Sequence, residues 1–337
     1  MEDSRYRRIV VEKRGGPEVM KVVEDHLPEP GESEVRVRTT AAGVSGMDLM
    51  VRAHSFPGFP KVPFTPGVDV VGVVDELGPE VLDLEPGTRV AALIGDTGGY
   101  SEAVCLPADK AVPLPDGLAP AEAAAVVTNY LTAYAMLHRA AQVKNGERIL
   151  IHGATGGVGT ALLELGTMDG LEMYGTASAR NHDLVASFGA TPIDYRHEDF
   201  VARIRELTGD GVDVVFDPIG GARQLWRSHK ALAKGGRLVW FGVAGTAYRG
   251  VKVIPESLIT RLIIALMPNG KQAPMPPAAD KPTDWYRQTL EMLFDYAAAG
   301  KISPVIARRF PLLEARAAHE FMEQHQYAGK IVLVDGG

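Results

Sequence analysis

The stretch that decides the fold is IHGATGGVGTALLEL, residues 151–165. It starts as the end of an apolar strand, turns through a run of glycines and continues with apolar residues at helical spacing. In the dinucleotide fingerprint G-x-G-x-x-G, glycines permit a tight turn, close approach of a pyrophosphate to backbone N–H groups, and close packing of helix on strand. Here Ala154 occupies the first slot, and Gly156 and Gly159 occupy the second and third. The motif predicts a nucleotide site, with a purely structural glycine turn as the alternative.

The end of the next predicted strand indicates which nucleotide is bound. A site for NAD usually carries Asp or Glu there, which binds the ribose 2′-hydroxyl and repels a 2′-phosphate. This sequence reads YGTASARNHD, with Ser178, Arg180 and His182 ahead of the first acid, Asp183. The pattern favours NADP, for which Arg180 offers a bidentate fork. The alternatives are a solvated surface arginine at Arg180, a helix N-cap at Ser178 and an exposed residue at His182.

Strand and helix patterns divide the chain into two kinds of sequence. A length of 337 residues is a soft indication of two domains. Up to about residue 120, short apolar runs alternate with Pro and Gly turns, which predicts an all-β, barrel-like domain. From Ala121 the sequence becomes alanine-rich with helical spacing, and buried-strand runs then alternate with helices. That alternation is typical of a parallel, doubly wound sheet, so the predicted fold class is α/β.

Two later segments have features of their own. The most apolar one, residues 253–267, is interrupted by Glu256 and Arg261. We therefore expect a packed helix or an oligomer contact there, and not a membrane insertion. Beyond about residue 270 the pattern predicts a Pro-rich connector, a helix around Trp285 to Ala299, the segment ISPVIARRFPL, another helix and a closing GKIVLVD.

Composition excludes several classes of function. The net charge is −7, and the sequence has no Lys/Arg-dense run that could follow a phosphate backbone, so nucleic acid is not an expected partner. No apolar run approaches the about 18 residues of a membrane span. The single cysteine, Cys105, is interpreted as a small buried residue; it cannot form an internal disulfide or a cysteine-rich zinc site. These features favour a cytoplasmic globular protein.

Taken together, the motifs resemble the medium-chain dehydrogenase/reductase superfamily. The resemblance rests on FTPGVDVVGVV, NYLTAY, HGATGGVG, GTAS, IDY, VFDPIGG and GKIVL. Within it the chain looks like the zinc-free quinone oxidoreductases, and TNYLTAY, GTAS and DPIGG look closest to the vesicle amine transport protein branch. The resemblance implies a GroES-like β-rich catalytic domain, residues 1–122 and 267–337, and a Rossmann NADP-binding domain, residues 123–266. It also implies a cofactor in the interdomain cleft and a homodimer.

The stretches that match the zinc sites of this superfamily lack the zinc ligands. Its zinc alcohol dehydrogenases place a cysteine in Gly-Val-Cys-His-x-Asp and a histidine in Pro-Gly-His-Glu, where this chain has Ser45 and Val68. Serine and valine supply neither thiolate nor imidazole. We therefore expect a zinc-independent transfer of hydride from NADPH to an acceptor that is already electrophilic, a quinone or an α,β-unsaturated carbonyl. Many zinc-free quinone oxidoreductases carry asparagine at the position of Ser45, so the resemblance supports the cofactor better than the substrate.

The resemblance also implies roles for individual residues. Those expected at the cofactor are Gly156, Gly157 and Val158 at the pyrophosphate, Ser178 and Arg180 at the 2′-phosphate, Tyr195 along the adenosine, Asn129 and Thr132 near the nicotinamide, and Phe241, Gly242 and Val243 after the fifth strand. Ser45 and Tyr130 are the candidates for catalytic proton transfer, against packing or capping roles, and solvent is the alternative donor. Thr132 has the alternative of an ordinary helix threonine. Asp48 and Asp69 are expected to hold loops by hydrogen bonds.

Two functions from different classes follow. The first is an NADPH-dependent quinone or enone reductase. The second is an NADPH-binding protein whose main role is interaction, because the vesicle-protein branch is associated with membranes and partner proteins as well as with weak reductase activity. Consumption of NADPH with a panel of acceptors distinguishes the two.

Overall fold

A computed structural model describes residues 5–54, 56, 58–95, 97–242, 244, 250–275, 283–324 and 326–336. The chain forms two compact units, Met1–Leu131 with Ala279–Gly337, and Thr132–Ala278. Both boundaries fall further along the chain than the predicted limits of 122 and 266. The first differs because a helix, Pro120–Tyr134, begins where the composition changes and continues past the predicted limit.

The strands and helices follow one another in the order that the sequence pattern predicts for most of the chain. The strands are β1 (Arg5–Val11), β2 (Met20–His26), β3 (Glu34–Val44), β4 (Asp69–Leu77), β5 (Arg89–Leu93), β6 (Ala103–Pro107), β7 (Val112–Pro113), β8 (Arg148–Ile151), β9 (Glu172–Ala177), β10 (Thr191–Asp194), β11 (Val212–Asp217), β12 (Leu232–Trp240), β13 (Ile306–Pro311) and β14 (Lys330–Val334). The α-helices are α1 (Gly46–Ala53), α2 (Pro120–Tyr134), α3 (Gly157–Met168), α4 (His182–Ser187), α5 (Phe200–Thr208), α6 (Ala222–Ala231), α7 (Val253–Leu266), α8 (Asp284–Ala298) and α9 (Ala315–Glu323).

The first unit is built on a largely antiparallel sheet. Its strand order is β13-β14-β3-β4-β5-β7, with β6 also paired to β3, and β1 and β2 form a separate antiparallel pair. Along β3 the side chains alternate, so that Val35 and Val37 enter the core while Arg36 and Arg38 bind Asp75 of β4 at 2.9 and 2.6 Å. This alternation of valine and arginine fixes the register of the strand, since a slip by one residue would bury the arginines.

The second unit is a five-stranded parallel sheet in the order β10-β9-β8-β11-β12. Ile149, Leu150 and Ile151 of the central strand β8 are fully buried, as expected for a strand that is covered on both faces. Numbered within the unit, the order is 3-2-1-4-5, so the direction of winding reverses between β8 and β11. Ligands of doubly wound sheets bind outside the carboxyl ends of the strands at this switch point. The predicted α/β fold class, a GroES-like domain plus a Rossmann domain, is confirmed.

Helix α7 exposes many of its large apolar side chains, although Val253 and Ile264 are buried. Ser257 and Thr260 are buried, whereas five large apolar residues are exposed. These five, which we call the outer face of α7, are Leu258, Ile259, Leu262, Ile263 and Leu266. Among the described residues, no helix combines the length and the apolar character that crossing a bilayer requires.

Several elements were not predicted, among them helix α1, which lies in the segment that was expected to be all-β. Strand β2, MKVVEDH, was not predicted because its apolar run is short; Glu24 and Asp25 pair with Arg5 and Arg8 of β1 on the exposed surface. A π-helical segment, Ala135–Ala141, continues α2. The spacing of apolar residues does not distinguish a π-helical segment from an α-helix.

Candidate functional site

The glycine turn leads from β8 directly into α3. The Gly156 N–H donates to the carbonyl oxygen of Gly153 at 2.9 Å, which closes the turn. The N–H groups of Gly157, Val158 and Gly159, in the first turn of α3, make no hydrogen bond with the residues that the structure describes. Three free donors at a helix N-terminus attract an anion such as a pyrophosphate. Gly156 thus shapes the turn, while the next three residues offer donors.

Two glycines of this region are required by close approaches. A Cβ on Gly159 would overlap the carbonyl oxygen of Gly153, so glycine lets α3 start close to the strand. A Cβ on Gly175 of β9 would lie 2.8 Å from the Cβ of Ala154. The alanine in the first slot of the fingerprint, which is fully buried, is therefore accommodated by a glycine on the neighbouring strand.

The segment after β9 lies against the glycine turn. The Asn181 side-chain amide donates to Thr155 Oγ1 at 3.3 Å. Ser178 stands at the N-cap of a short 3-10 helix, Ala179–Asn181, but its side chain makes no capping hydrogen bond. Arg180 is exposed. His182 Nε2 is buried and finds no hydrogen-bond partner among the described residues.

The predicted residues beyond β10 and β12 have different surroundings. Tyr195 is 54% exposed, and the guanidinium of Arg196 lies 5.8 Å from its ring centre. The Phe241 N–H donates to the carbonyl oxygen of Asp217 at 3.1 Å, which holds the ends of β12 and β11 together. Gly242 follows it, partly buried. Val243 lies outside the described residues.

A buried polar chain beneath the glycine turn was missed by the sequence analysis. Ser228 Oγ donates to Asp217 Oδ2 at 2.7 Å, so it accepts at 3.1 Å from His152 Nε2. His152 Nδ1 then accepts from Thr176 Oγ1 at 3.2 Å, and Thr176 Oγ1 accepts from the Gly153 N–H at 3.2 Å. In each of these hydrogen bonds, the acceptor lies one step nearer to Asp217 than the donor does. Burial lowers the pKa of His152, in keeping with the neutral ring that this direction requires.

The far end of this chain fixes a second turn. Asp217 Oδ1 accepts from the N–H groups of Ile219 and Gly220 at 2.8 and 3.1 Å. The glycine turn and the DPIGG turn, which flank the switch point of the sheet, are thus anchored by one network. A signal was present in the sequence, because His152, Thr176 and Asp217 are polar residues at the carboxyl ends of buried strands.

In the first unit, Ser45 and Asp48 form a capping box at the start of α1. Ser45 Oγ donates to Asp48 Oδ2 at 2.6 Å, and the Ser45 N–H donates to the same oxygen at 2.8 Å. Asp48 Oδ1 accepts from the Gly67 N–H at 3.1 Å. Asp48 is 0% exposed, and burial raises the pKa of its carboxyl group against the opposing effect of the Ser45 hydrogen bonds. Ser45 is half-buried.

A second buried chain of hydrogen bonds joins Arg52, His319 and Tyr100. The guanidinium of Arg52 can only donate, so His319 Nδ1 accepts from Arg52 Nη1 at 2.9 Å and carries its proton on Nε2. His319 Nε2 lies 3.3 Å from the phenol oxygen of Tyr100. Burial, together with the negative charges of Asp48 and Asp69, raises the pKa of the Tyr100 phenol. Burial, aided by the charge of Arg52, lowers the pKa of His319 to about 3.

Asp69 forms a buried ion pair in the same unit. Its Oδ2 lies 3.2 Å from Lys330 Nζ, and that ammonium is only 3% exposed. Asp69 also accepts from the Gly43 N–H and the Thr128 hydroxyl. It thereby joins β4 to β3, β14 and α2. Asp48 and Asp69 both bind loops or neighbouring elements, as expected.

The three predicted residues of α2 differ in exposure. Asn129 and Tyr130 are buried, with Tyr130 only 2% exposed, and Thr132 is half-buried. The phenol of Tyr130 thus has little room for a substrate. Sequence reasoning could not foresee this, because the apolar spacing of α2 leaves the orientation of each side chain open.

The residues at the zinc-ligand positions differ from the cysteine and histidine of the zinc enzymes. The Ser45 hydroxyl donates a hydrogen bond to Asp48, and Val68 is a buried apolar residue. Within the described part of the chain, no three His, Cys, Asp or Glu side chains are grouped so as to hold a metal ion. Cys105 is half-buried on β6, and burial raises the pKa of its thiol to about 11.

Two family models match the chain. Residues 31–116 match an alcohol dehydrogenase GroES-like domain, and residues 188–333 match a zinc-binding dehydrogenase domain. The first match lies in the antiparallel unit, and the second begins in the parallel-sheet unit.

Known proteins resemble the chain over most of its length. A quinone oxidoreductase of Pseudomonas aeruginosa is 34% identical over 97% of this chain and 99% of its own. The synaptic vesicle membrane protein VAT-1 homolog of Danio rerio is 31% identical over 97% of this chain and 70% of its own. The chain spans about half the length of the mammalian VAT-1 homologs that it matches. A crystal structure of Escherichia coli quinone oxidoreductase complexed with NADPH has a TM-score of 0.88 and 30% identity, and the match covers 97% of this chain and 99% of that one.

Proposed function

The chain belongs to the medium-chain dehydrogenase/reductase superfamily, with the quinone oxidoreductases, and from this we propose that it is a zinc-independent, NADPH-dependent oxidoreductase. It transfers hydride to a quinone or an α,β-unsaturated carbonyl. The observation that carries the proposal is the set of three free N–H donors at Gly157, Val158 and Gly159, located at the switch point of a parallel sheet. The likeness to a quinone oxidoreductase complexed with NADPH supports the same cofactor here.

The residues at the carboxyl ends of β8, β9 and β10 suit NADPH. The donors of Gly157 and Val158 bind the pyrophosphate, and Gly156 keeps the turn small. Ser178 and Arg180 hold the 2′-phosphate, for which the exposed guanidinium of Arg180 offers a bidentate fork. The exposed ring of Tyr195 lies along the adenosine.

The nicotinamide end is assigned to a separate group of residues. It consists of Asn129, Thr132, Phe241, Gly242 and Val243. Bound NADPH supplies the hydride. The protein's own contribution is to orient the acceptor, exclude water and bind the oxygen on which negative charge develops.

The side chains in the matching stretch support zinc independence. Ser45 and Val68 supply neither thiolate nor imidazole, so a zinc ion would not be held there to polarise an alcohol or a simple carbonyl. Quinones and enones accept hydride without a metal because they are already electrophilic. Of the two candidates for proton transfer, half-buried Ser45 is better placed than buried Tyr130.

A homodimer and a cytoplasmic location complete the proposal. The outer face of α7 exposes five large apolar residues in one helix, more than a monomer normally leaves in water. A second copy of the chain that packs against this face would remove these side chains from water. The single cysteine, Cys105, fits a reducing compartment. Sedimentation of the wild type and of Leu262→Asp tests the dimer: the wild type is expected to sediment as two copies and the variant as one.

The alternative is an NADPH-binding interaction protein with little turnover. The outer face of α7 and the similarity to VAT-1 homologs support it. A panel of quinones and enones, offered with NADPH or NADH, separates the two functions. Saturable consumption of NADPH supports the reductase. Tight NADPH binding without consumption of any acceptor supports the interaction protein, and absence of binding contradicts both.

A further inference from the structure

We propose that the buried chain of hydrogen bonds beneath the glycine turn positions that turn for the pyrophosphate of NADPH, with Thr176 and His152 as the positioning residues. This inference rests on the proposed function, in which NADPH is the cofactor. It concerns residues of the parallel-sheet unit alone. Thr176 and His152 are each only 2% exposed, so they act through the backbone of Gly153 and not by touching the cofactor.

Gly153 is the point at which the turn is held in place. Its carbonyl oxygen accepts from the Gly156 N–H at 2.9 Å, and a Cβ on Gly159 would overlap the same oxygen. Its φ of +61° lies in the left-handed region that favours glycine. A change in the backbone angles of Gly153 would therefore open the turn and move the first residues of α3, whose N–H groups are offered to the pyrophosphate.

Thr176 holds the two peptide groups that meet at Gly153. Its carbonyl oxygen accepts from the Ala154 N–H at 3.1 Å, and its hydroxyl oxygen accepts from the Gly153 N–H at 3.2 Å. The first bond continues the pairing of β8 with β9 and needs only the backbone. The second bond depends on the side chain. Together the two bonds fix both backbone angles of Gly153.

The direction of the chain suits this task. The Asp217 carboxylate can only accept, so Ser228 donates to it and His152 carries its proton on Nε2. His152 Nδ1 is then an acceptor, and it takes the hydroxyl proton of Thr176 at 3.2 Å. The Thr176 oxygen is left with lone pairs only, which is what the Gly153 N–H requires.

Hydrogen bonds have to fix Gly153 because packing cannot. Ala154 is fully buried beside Gly175 of β9, but Gly153 is exposed and has no side chain. Glycine loses more conformational freedom than any other residue when it is ordered. A turn that is ordered before the cofactor arrives avoids that loss of entropy at the moment of binding, which raises affinity.

The same contacts would arise if the chain did no more than satisfy buried polar groups. In that case, loss of the Thr176 hydroxyl would lower the stability of the protein and leave the NADPH affinity of the folded state unchanged. If the chain positions the turn, the affinity of the folded state must fall as well. The experiment therefore measures stability and affinity on the same variants.

We would measure the dissociation constant of NADPH by fluorescence, at a temperature at which every variant is folded, and stability by urea denaturation. Thr176→Val removes the hydroxyl and keeps the shape, whereas Thr176→Ser keeps the hydroxyl and removes the methyl group. Thr208 supplies the matched control. Its hydroxyl accepts from the Gly211 N–H at 2.9 Å and donates to the Ile204 carbonyl at 2.7 Å, just before β11 and thus at the amino end of the sheet.

The positioning role predicts that Thr176→Val raises the dissociation constant for NADPH about tenfold and that Thr176→Ser retains most of the affinity. Thr208→Val and Thr208→Ser should bind NADPH as the wild type does, whatever stability they lose. A Thr176→Val protein that loses stability and keeps the wild-type affinity overturns the inference and leaves the cofactor and the reductase function intact. A wild type that binds no NADPH overturns the inference and the proposed function together.

NMR of the unliganded protein supplies a second readout, which does not depend on the folding of Thr176→Val. The nitrogen chemical shifts of His152 should show the proton on Nε2. Ser228→Ala removes the acceptor of that proton, so it should move toward Nδ1 and compete with the Gly153 N–H for the Thr176 oxygen. The amide resonance of Gly153 should then shift, and NADPH should bind more weakly. A wild-type His152 with its proton on Nδ1, or a Ser228→Ala protein with an unchanged Gly153 resonance and unchanged NADPH affinity, contradicts the inference.

Discussion

Gly175 of β9 and Ala154 of the glycine turn are fitted to each other, since a Cβ on Gly175 would lie only 2.8 Å from the Ala154 Cβ. Gly175→Ala should destabilise the protein by about 1–3 kcal/mol, the usual effect of overpacking a dense core. It should also weaken NADPH binding, because the displaced Ala154 belongs to the turn. Chemical denaturation and a fluorescence titration measure the two effects.

The double variant Gly175→Ala with Ala154→Gly is the matched control for this pair. It removes one of the two groups that the new Cβ would meet, the other being Val185 Cγ1 at 2.9 Å, so stability and NADPH affinity should partly return. If the loss of stability in the double variant equals the sum of the losses in the two single variants, the two residues are not coupled. Another contact of residue 175 would then cause the effect.

The buried chain under the glycine turn gives a second prediction. Thr176→Val keeps the side-chain shape and removes the hydroxyl that joins the Gly153 N–H to His152. The buried ring nitrogen Nδ1 of His152 then lacks a partner, and we expect a loss of about 1–3 kcal/mol for that unsatisfied group. Urea denaturation measures it. Thr160→Val, which loses a single hydroxyl bond to the Gly157 carbonyl in α3, is the control and should lose less. Equal losses in both variants would contradict a special role for the chain.

Acid should destabilise the protein through His319. Its pKa is lowered to about 3 in the folded state, while an unfolded histidine titrates near its usual value of about 6.5. Because the folded state binds the proton less well, stability is complete above about pH 6.5 and is lost as the pH falls toward 3. Between pH 7.5 and 5 this residue should account for about 2 kcal/mol of lost stability.

Comparison with His319→Gln isolates that effect. Glutamine can still accept from Arg52 and donate to Tyr100, but it does not titrate. The variant should therefore lose less stability between pH 7.5 and 5 than the wild type loses. His26→Gln, at an exposed position, should follow the wild type. Identical pH dependence in all three proteins would exclude His319 as the acid-sensitive group.

The nucleotide preference depends on Arg180. NADPH should bind at least about tenfold more tightly than NADH, which corresponds to about 1.4 kcal/mol, and Arg180→Ala should remove that preference. NADH affinity should be unchanged. Arg203→Ala, which removes a surface arginine paired with Glu206 on α5, is the control. A preference that survives in Arg180→Ala would assign the 2′-phosphate to other residues.

Much of the fold was predictable because its signals are local. The apolar runs of β8 to β12 and the glycines between β8 and α3 define a doubly wound sheet without knowledge of distant contacts. Strand β2 was not predictable in this way, since it pairs with β1 alone and most of its side chains are exposed. The alanine in the first slot of the fingerprint fits because Gly175 of the neighbouring strand has no side chain, and the sequence alone does not show that the two residues are neighbours.

The candidate site was predictable in part. Ser45 and Asp48 were singled out from the sequence, but the hydrogen bond between His319 and Tyr100 joins residues far apart in the chain. No spacing rule connects them. The same holds for Ser228, which enters the buried chain from a helix. Positions at strand ends are visible in a sequence, whereas side chains that converge from separate elements are not.

The most direct test of the account is the fate of the hydride. NADPH carrying deuterium at the transferable position of its nicotinamide ring would be incubated with the protein and an enone, and the product examined by mass spectrometry and NMR. The account predicts one deuterium per product molecule, on the β-carbon, with the proton on the α-carbon drawn from solvent. Product without deuterium, or bound NADPH that keeps its label in the presence of every acceptor, would contradict it.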